Sequence, residues 1–218
     1  SKLSETVCSF VMKTVLSGRS REVIIDTDGP VIIIGESINP TRRRKLVSSL
    51  QEGDFSYVLE LAASQIQAGA DILDVNVGYP GVDDTKLLPE VVIAIQDNFD
   101  IPLCLDSPNP SAIEAALKVS AGRCLINSVN GKEESLRALI PVAKEYGAAI
   151  IGLCMDDEGI TNDPGKRVSI IEKITDRAVA AGIRAEDVIA DPLAMAVSAE
   201  PQACVVTLDT IRLLHRKL

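Results

Sequence analysis

Val31-Ile32-Ile33-Ile34-Gly35-Glu36-Ser37-Ile38-Asn39-Pro40 is the stretch on which the fold turns. Four consecutive β-branched residues, closed by Gly, mark a short strand buried on both faces, over 31–35. In an open doubly wound sheet built for a dinucleotide, a G-x-G-x-x-G turn follows such a strand. Glu36 stands there instead, and a carboxylate at that point repels a phosphate.

Working outward, the same unit recurs. Further strand candidates run over 71–77, 101–106, 123–128, 148–155 and 187–191, each largely apolar, with the strand-end polar residues read as Asp74, Asp106, Asn127, Asp156 and Asp191. Between them, helical spacing appears over 55–68, 88–98, 111–120, 133–146 and 170–181, with a last helix over 202–216. Apolar strands alternating with amphipathic helices imply a parallel sheet covered by helices, either open or closed into a (β/α)8 barrel. The barrel is the better reading, because nearly every strand ends in Asp, Asn or Ser, and in a barrel those ends ring one mouth. Six βα units are countable and 218 residues fall short of the usual length of about 250, so the expected fold is an α/β (β/α)8 TIM barrel lacking its last two βα units. Left unclosed, it exposes two sheet edges. Upstream, Leu3, Val7, Phe10, Val11 and Val15 have helical spacing over 3–17, and Val23-Ile24-Ile25 is expected to fold back on 31–34 through Asp26-Thr27-Asp28-Gly29-Pro30. Residues 1–30 are thus read as a helix-and-hairpin extension and 31–218 as the barrel domain.

Composition narrows the functions. The chain is 46% hydrophobic and 24% charged, with a formal net charge of −9. That charge disfavours nucleic acid and anionic membranes, and with no Trp and only six Phe plus Tyr there is no base-stacking platform. No run approaches the roughly 18 apolar residues that span a bilayer, and no clean signal peptide is present, so a cytoplasmic location is expected. Five cysteines lack metal-ligand spacing and read as reduced core thiols, and the single histidine, His215, as an exposed helix-end residue; no metal site is expected.

The strand ends would place Glu36, Asn39, Asp74, Asp106, Asn127 and Asp191 around the mouth, with Asn76 and Ser107 just beyond. No Lys or Arg sits at a strand end, so the site is a poor phosphate cradle. A ring of acceptors with a few amides suits a neutral heterocycle rich in N–H donors. Singly, such residues are as readily helix caps and turn formers, which explains Ser107 and Asn109 well. Six at successive strand ends favour a site.

The runs Ile34-Gly35-Glu36-Ser37-Ile38-Asn39, Leu73-Asp74-Val75-Asn76-Val77-Gly78, Leu103-Cys104-Leu105-Asp106-Ser107, Leu125-Ile126-Asn127-Ser128 and Ile189-Ala190-Asp191-Pro192-Leu193 resemble the pterin-binding methyltransferases. These are the methyltetrahydrofolate:corrinoid protein methyltransferases, related to the folate module of cobalamin-dependent methionine synthase and to dihydropteroate synthase. The resemblance covers about residues 30–217. It implies a (β/α)8 barrel, usually homodimeric, with a pterin ring in its mouth. By the same resemblance, Asp106, Asn127 and Asp191 bond the pyrimidine edge, Glu36 and Asn39 carry the Gly-Glu-x-x-Asn motif, and Asp74 and Asn76 support the ring. The implied reaction is methyl transfer between nitrogen 5 of (methyl)tetrahydrofolate and the cobalt of a corrinoid on a separate partner protein. The family's catalytic Asn belongs to a seventh strand past Leu218, so no catalytic residue is assigned here, and the chain as it stands is expected to bind pterin weakly and catalyse poorly. The chain departs from the family at Arg42-Arg43-Arg44-Lys45, which reads either as a solvated helix start or as a dock for a folate glutamate tail or an acidic partner. Two rivals remain. One is dihydropteroate synthase, whose first loop differs from Asn39-Pro40-Thr41-Arg42. The other is a non-catalytic pterin-binding subunit.

Overall fold

A computed structural model describes residues 13–195 and 202–217. Six parallel strands form one sheet in the order β10-β7-β6-β5-β4-β3: β3 (Ile34–Ile38), β4 (Ile72–Asn76), β5 (Leu103–Asp106), β6 (Leu125–Asn130), β7 (Ala149–Leu153) and β10 (Val188–Asp191). Helices α2 (Ser56–Gln67), α3 (Asp84–Asn98), α4 (Pro110–Val119), α5 (Glu133–Tyr146) and α6 (Pro164–Ala180) follow β3 to β7 in turn, and α7 (Ala203–Lys217) follows β10. This is the arrangement of a (β/α) barrel; among the described residues β3 and β10 are its two edges and do not pair.

Local chemistry sets several boundaries. Asn109 and Asp163 cap α4 and α6, each accepting a backbone N–H two residues on, and Pro110 and Pro164 occupy the first helical turn where no donor is missed. Asp163-Pro164 is why α6 starts at 164 and not at 170. Strand alternation sorts the core into two layers. Ile72, Cys104, Leu125 and Ala149 pack together with Ile34, Ile151 and Ile189 on the inner face of the sheet. Leu73, Val75, Leu103, Leu105, Ile126 and Ile150 face outward and pack against the helices.

The N-terminal reading needs correction twice. Lys13–Ser17 is a strand, β1, and not the end of a helix, while the rest of the expected helix, residues 3–12, lies outside the described residues. Thr14 and Leu16 are buried and Lys13 is exposed, a period of two that overrides the helical spacing. The partner of β2 (Glu22–Asp26) is β1, antiparallel, and not 31–34, so Asp26–Pro30 leads out of the hairpin instead of closing it. The β1–β2 hairpin plugs the bottom of the sheet's inner face: Leu16 and Val23 join the inner apolar cluster. It is fastened by reciprocal Ser17–Arg123 backbone bonds at 3.0 Å, by Arg123 donating to Val15 O, and by an Arg123–Asp187 ion pair at 2.7 Å.

Two small elements lie outside the expected helices and strands, although the first opens at the helix start read in Arg42–Lys45. Helix α1 (Arg44–Glu52) follows β3, and Met155–Asp156 and Gly159–Ile160 form a short hairpin, β8–β9. The expected strand 148–155 therefore stops at Leu153, and Asp156 belongs to that hairpin and not to a sheet strand end.

Candidate functional site

The inner face carries the site because the strands keep their alternation. Each of Glu36, Asp74, Asp106, Asn127 and Asp191 lies two residues beyond a member of the inner apolar cluster, namely Ile34, Ile72, Cys104, Leu125 and Ile189. They therefore stand on the same face, one layer above the apolar floor. Register agrees: Asn76 is opposite Asp106, and Asp106 is opposite Asn127.

Two amide–carboxylate bonds knit the layer. Asn76 Nδ2 donates to Asp106 Oδ2 at 2.8 Å, and Asn127 Nδ2 donates to Asp74 Oδ1 at 3.0 Å. Glu36 is exposed, and its charge is felt by both Asp74 and Asp106. Asp74 is 2% exposed. Burial pushes its carboxyl up to about 6; the Asn127 amide pulls it down, and the Asp106 and Glu36 charges raise it further. Burial also raises Asp106, against the pull of the Asn76 amide. Among the described residues no cation pairs with either group. The ring is short of positive charge and rich in acceptors, so it favours a ligand that brings N–H donors.

Asp191 and Asn39 stand apart from this cluster. Asp191, on edge strand β10, shares the face but bonds locally, accepting from Leu193 N through Oδ1 at 2.8 Å. Asn39 sits past the end of β3 and accepts from Thr41 N at 3.0 Å, a turn-forming role. Ser107 Oγ accepts from Asn109 N at 3.0 Å and Asn109 Oδ1 from Ser111 N at 3.1 Å, the turn-and-cap role the sequence suggested, and both side chains also donate to Asp84 at the start of α3. Arg42, Arg43 and Arg44 are exposed, and Arg44 opens α1, the solvated helix start. Cys104, Cys124 and Cys154 are free and buried, while Cys204 is free but exposed, so it is no core thiol; Cys8 lies outside the described residues. His215 is exposed near the end of α7.

Gln65, on α2, is a site-supporting residue that the apolar spacing over 55–68 does not single out. Its Oε1 accepts from Ser37 N at 2.7 Å where the β3–β4 register slips between Gly35 and Ile38, and its Nε2 donates to Leu61 O. It thereby satisfies the bulge that carries Glu36.

The model of a family described as "Pterin binding enzyme" matches residues 35–218. The chain belongs to that family. Methionine synthase of Mycobacterium tuberculosis is 28% identical over 200 residues, covering 87% of this chain and 17% of that protein. Methylcorrinoid:tetrahydrofolate methyltransferase of Eubacterium limosum is 27% identical over 175 residues, covering 78% of this chain and 63% of that one. The chain thus spans less than two thirds of either relative. Dihydropteroate synthase from Xanthomonas albilineans, solved with 7,8-dihydropteroate, superposes with a TM-score of 0.62 at 18% identity, covering 88% of this chain and 70% of that one. At that identity the likeness establishes the shared barrel fold. No helix among the described residues is long and apolar enough to cross a membrane.

Proposed function

We propose that this pterin-binding chain serves methyl transfer between nitrogen 5 of (methyl)tetrahydrofolate and the cobalt of a corrinoid carried by a separate protein. The observation that carries the reading is the acceptor layer, Glu36, Asp74, Asp106 and Asn127, held on one inner face by the Asn76–Asp106 and Asn127–Asp74 bonds. The name of one relative, a methylcorrinoid:tetrahydrofolate methyltransferase, favours methyl transfer over pteroate condensation.

The residues divide the work. Asn76 occupies Asp106 Oδ2, which leaves Oδ1 for a ring N–H; Asn127 spends its Nδ2 on Asp74, which leaves its carbonyl oxygen for a second. Asp191 Oδ2 supplies a third acceptor from across the mouth. Each such pairing, once desolvated, contributes roughly 1–3 kcal/mol. Methyl loss from a tertiary amine requires a proton or hydrogen bond at nitrogen 5, and the family likeness assigns that donor to a seventh strand. The residues described here bind and orient the ring. A homodimer and a cytoplasmic setting belong to the same proposal.

Binding of 5-methyltetrahydrofolate by Asp106→Ala and Asp191→Ala, with circular dichroism to check the fold, tests the pocket. Both should lose affinity about tenfold or more, the order expected when a buried acceptor is removed. Unchanged affinity in both refutes the assignment. Methyl transfer to free cob(I)alamin, followed as loss of cobalt(I) absorbance in a chain extended through the seventh strand, separates an enzyme from a binding subunit: binding without turnover there favours the latter.

A further inference from the structure

Arg167, in the first turns of α6, is completely buried, at 0% exposure, yet no carboxylate pairs with it among the described residues. Its guanidinium is spent on backbone carbonyls from two loops. Nε donates to Thr161 O at 2.8 Å, and Nη1 donates to Pro192 O at 2.6 Å and Leu193 O at 3.0 Å, while Nη2 has no protein partner. Burying a guanidinium without a counter-charge is costly, and a structural role alone could be filled more cheaply by an apolar side chain. The loop it grips is the one that leaves Asp191. Leu193 sits at φ +59, a left-handed conformation that a branched side chain adopts only under constraint. In that conformation the Leu193 N–H reaches back to Asp191 Oδ1 at 2.8 Å. Thr207 Oγ1, from α7, is 3.0 Å from both Leu193 O and Ala203 O and shares its one proton between them, and the Cys154 N–H holds Asp191 O at 3.2 Å.

We infer that Arg167 is a positioning residue: by clamping the Pro192 and Leu193 carbonyls it holds Leu193 left-handed, fixes Asp191 Oδ1, and leaves Oδ2 aimed into the mouth for the ligand. The inference rests on the pterin-binding reading of the mouth. It adds a residue that touches no ligand but sets the geometry of one that does, and a cation suits the task because it donates to three carbonyls at once.

A double-mutant cycle tests it. Arg167→Lys, made in the otherwise unchanged chain, should weaken 5-methyltetrahydrofolate about tenfold, the order of one lost charge-assisted hydrogen bond. In an Asp191→Asn background the same change should cost less than about twofold, because the group it positions has been altered already. The Leu193 amide should exchange with solvent faster in Arg167→Lys, whether or not ligand is present. Thr207→Val removes the other donor to Leu193 O without touching the buried charge, so it gives the same pattern more weakly and decides the matter if Arg167 variants fold poorly. An equal loss in both backgrounds, or an unaltered Leu193 amide in a folded variant, overturns the clamp. If Asp191→Asn itself leaves affinity unchanged, the reading of the pocket has failed instead.

Discussion

Replacing Asp74 by Asn probes the electrostatics of the mouth. Asp74 is buried, and its carboxyl titrates near 6 against an ordinary value of 3.8. An acid whose pKa is raised by folding holds its proton more tightly folded than unfolded. Its effect on stability is therefore nil below about pH 3.8, turns unfavourable as the pH climbs from 3.8 to about 6, and stays constant above that. The gap of roughly two pKa units corresponds to about 3 kcal/mol at pH 7.5 and about 1 kcal/mol at pH 4.5. Asp74→Asn removes the penalty and keeps an oxygen to accept from Asn127 Nδ2, the bond now at 3.0 Å. The variant minus the parent, in urea unfolding free energy, should thus rise by about 2 kcal/mol between pH 4.5 and pH 7.5. Taking the difference cancels the carboxylates remote from Asp74, while its coupling to Asp106 and Glu36 is part of the raised value itself. A difference that stays flat over that range, or that falls, refutes the claim that burial and neighbouring acids raise Asp74.

Two further substitutions test how the site is carried. Gly122 has φ +85, and a Cβ there would lie 2.1 Å from Gly18 O and 2.3 Å from Ser17 O, backbone atoms that cannot step aside. Gly122→Ala should cost at least about 2 kcal/mol, part of it the left-handed backbone, and expose the hairpin to protease; a change within about 0.5 kcal/mol, measured by urea unfolding, would show that the hairpin is not fastened there. Gln65→Ala strips the acceptor from Ser37 N in the β3 bulge, for a loss of about 1–3 kcal/mol and faster exchange of the Ser37 amide. An unaltered Ser37 amide would mean the bulge is satisfied otherwise.

The sheet was legible because its strands are short apolar runs, most of them with an acid or amide at or near the end, and neither feature depends on distant contacts. Residues 13–17 were misread because Val15 continues a helical spacing begun at Leu3, while the competing alternation of Lys13, Thr14, Val15 and Leu16 gains meaning only when Leu16 packs against Ile72 and Leu125 on the sheet's inner face. Helix α1 offers only Leu46 and Leu50 as buried residues, one pair at i, i+4 behind a run of cations, too little for a periodic signal. That Glu36, Asp74, Asp106, Asn127 and Asp191 would share one face was visible from strand ends, while the turn roles of Asn39 and of Asp191 Oδ1 were not. The site's internal bonding was not visible either, since Asn76–Asp106 and Asn127–Asp74 join residues 30 and 53 positions apart, and which amide serves which acid depends on register. Arg167 was invisible for a different reason: it fell ahead of the helix expected over 170–181, and it is buried only because the loops at Thr161 and Leu193 fold over it.

The acidic layer is affordable because of what lies beneath and beside it. Directly below, Ile72, Cys104 and Leu125, sealed by Leu16 and Val23 of the hairpin, keep water from the underside of the carboxylates. A cation there would quench the acceptors and lower the raised carboxyls into the ordinary range. Amides do neither fully: Asn76 and Asn127 each satisfy one carboxylate oxygen without neutralising the group. The layer thus stays electronegative and partly unsatisfied, which on the proposed reading leaves its free acceptors to a ligand's N–H donors. That selects a neutral, donor-edged ring over an anion by repulsion, and over an apolar ring by the cost of stranding desolvated acceptors.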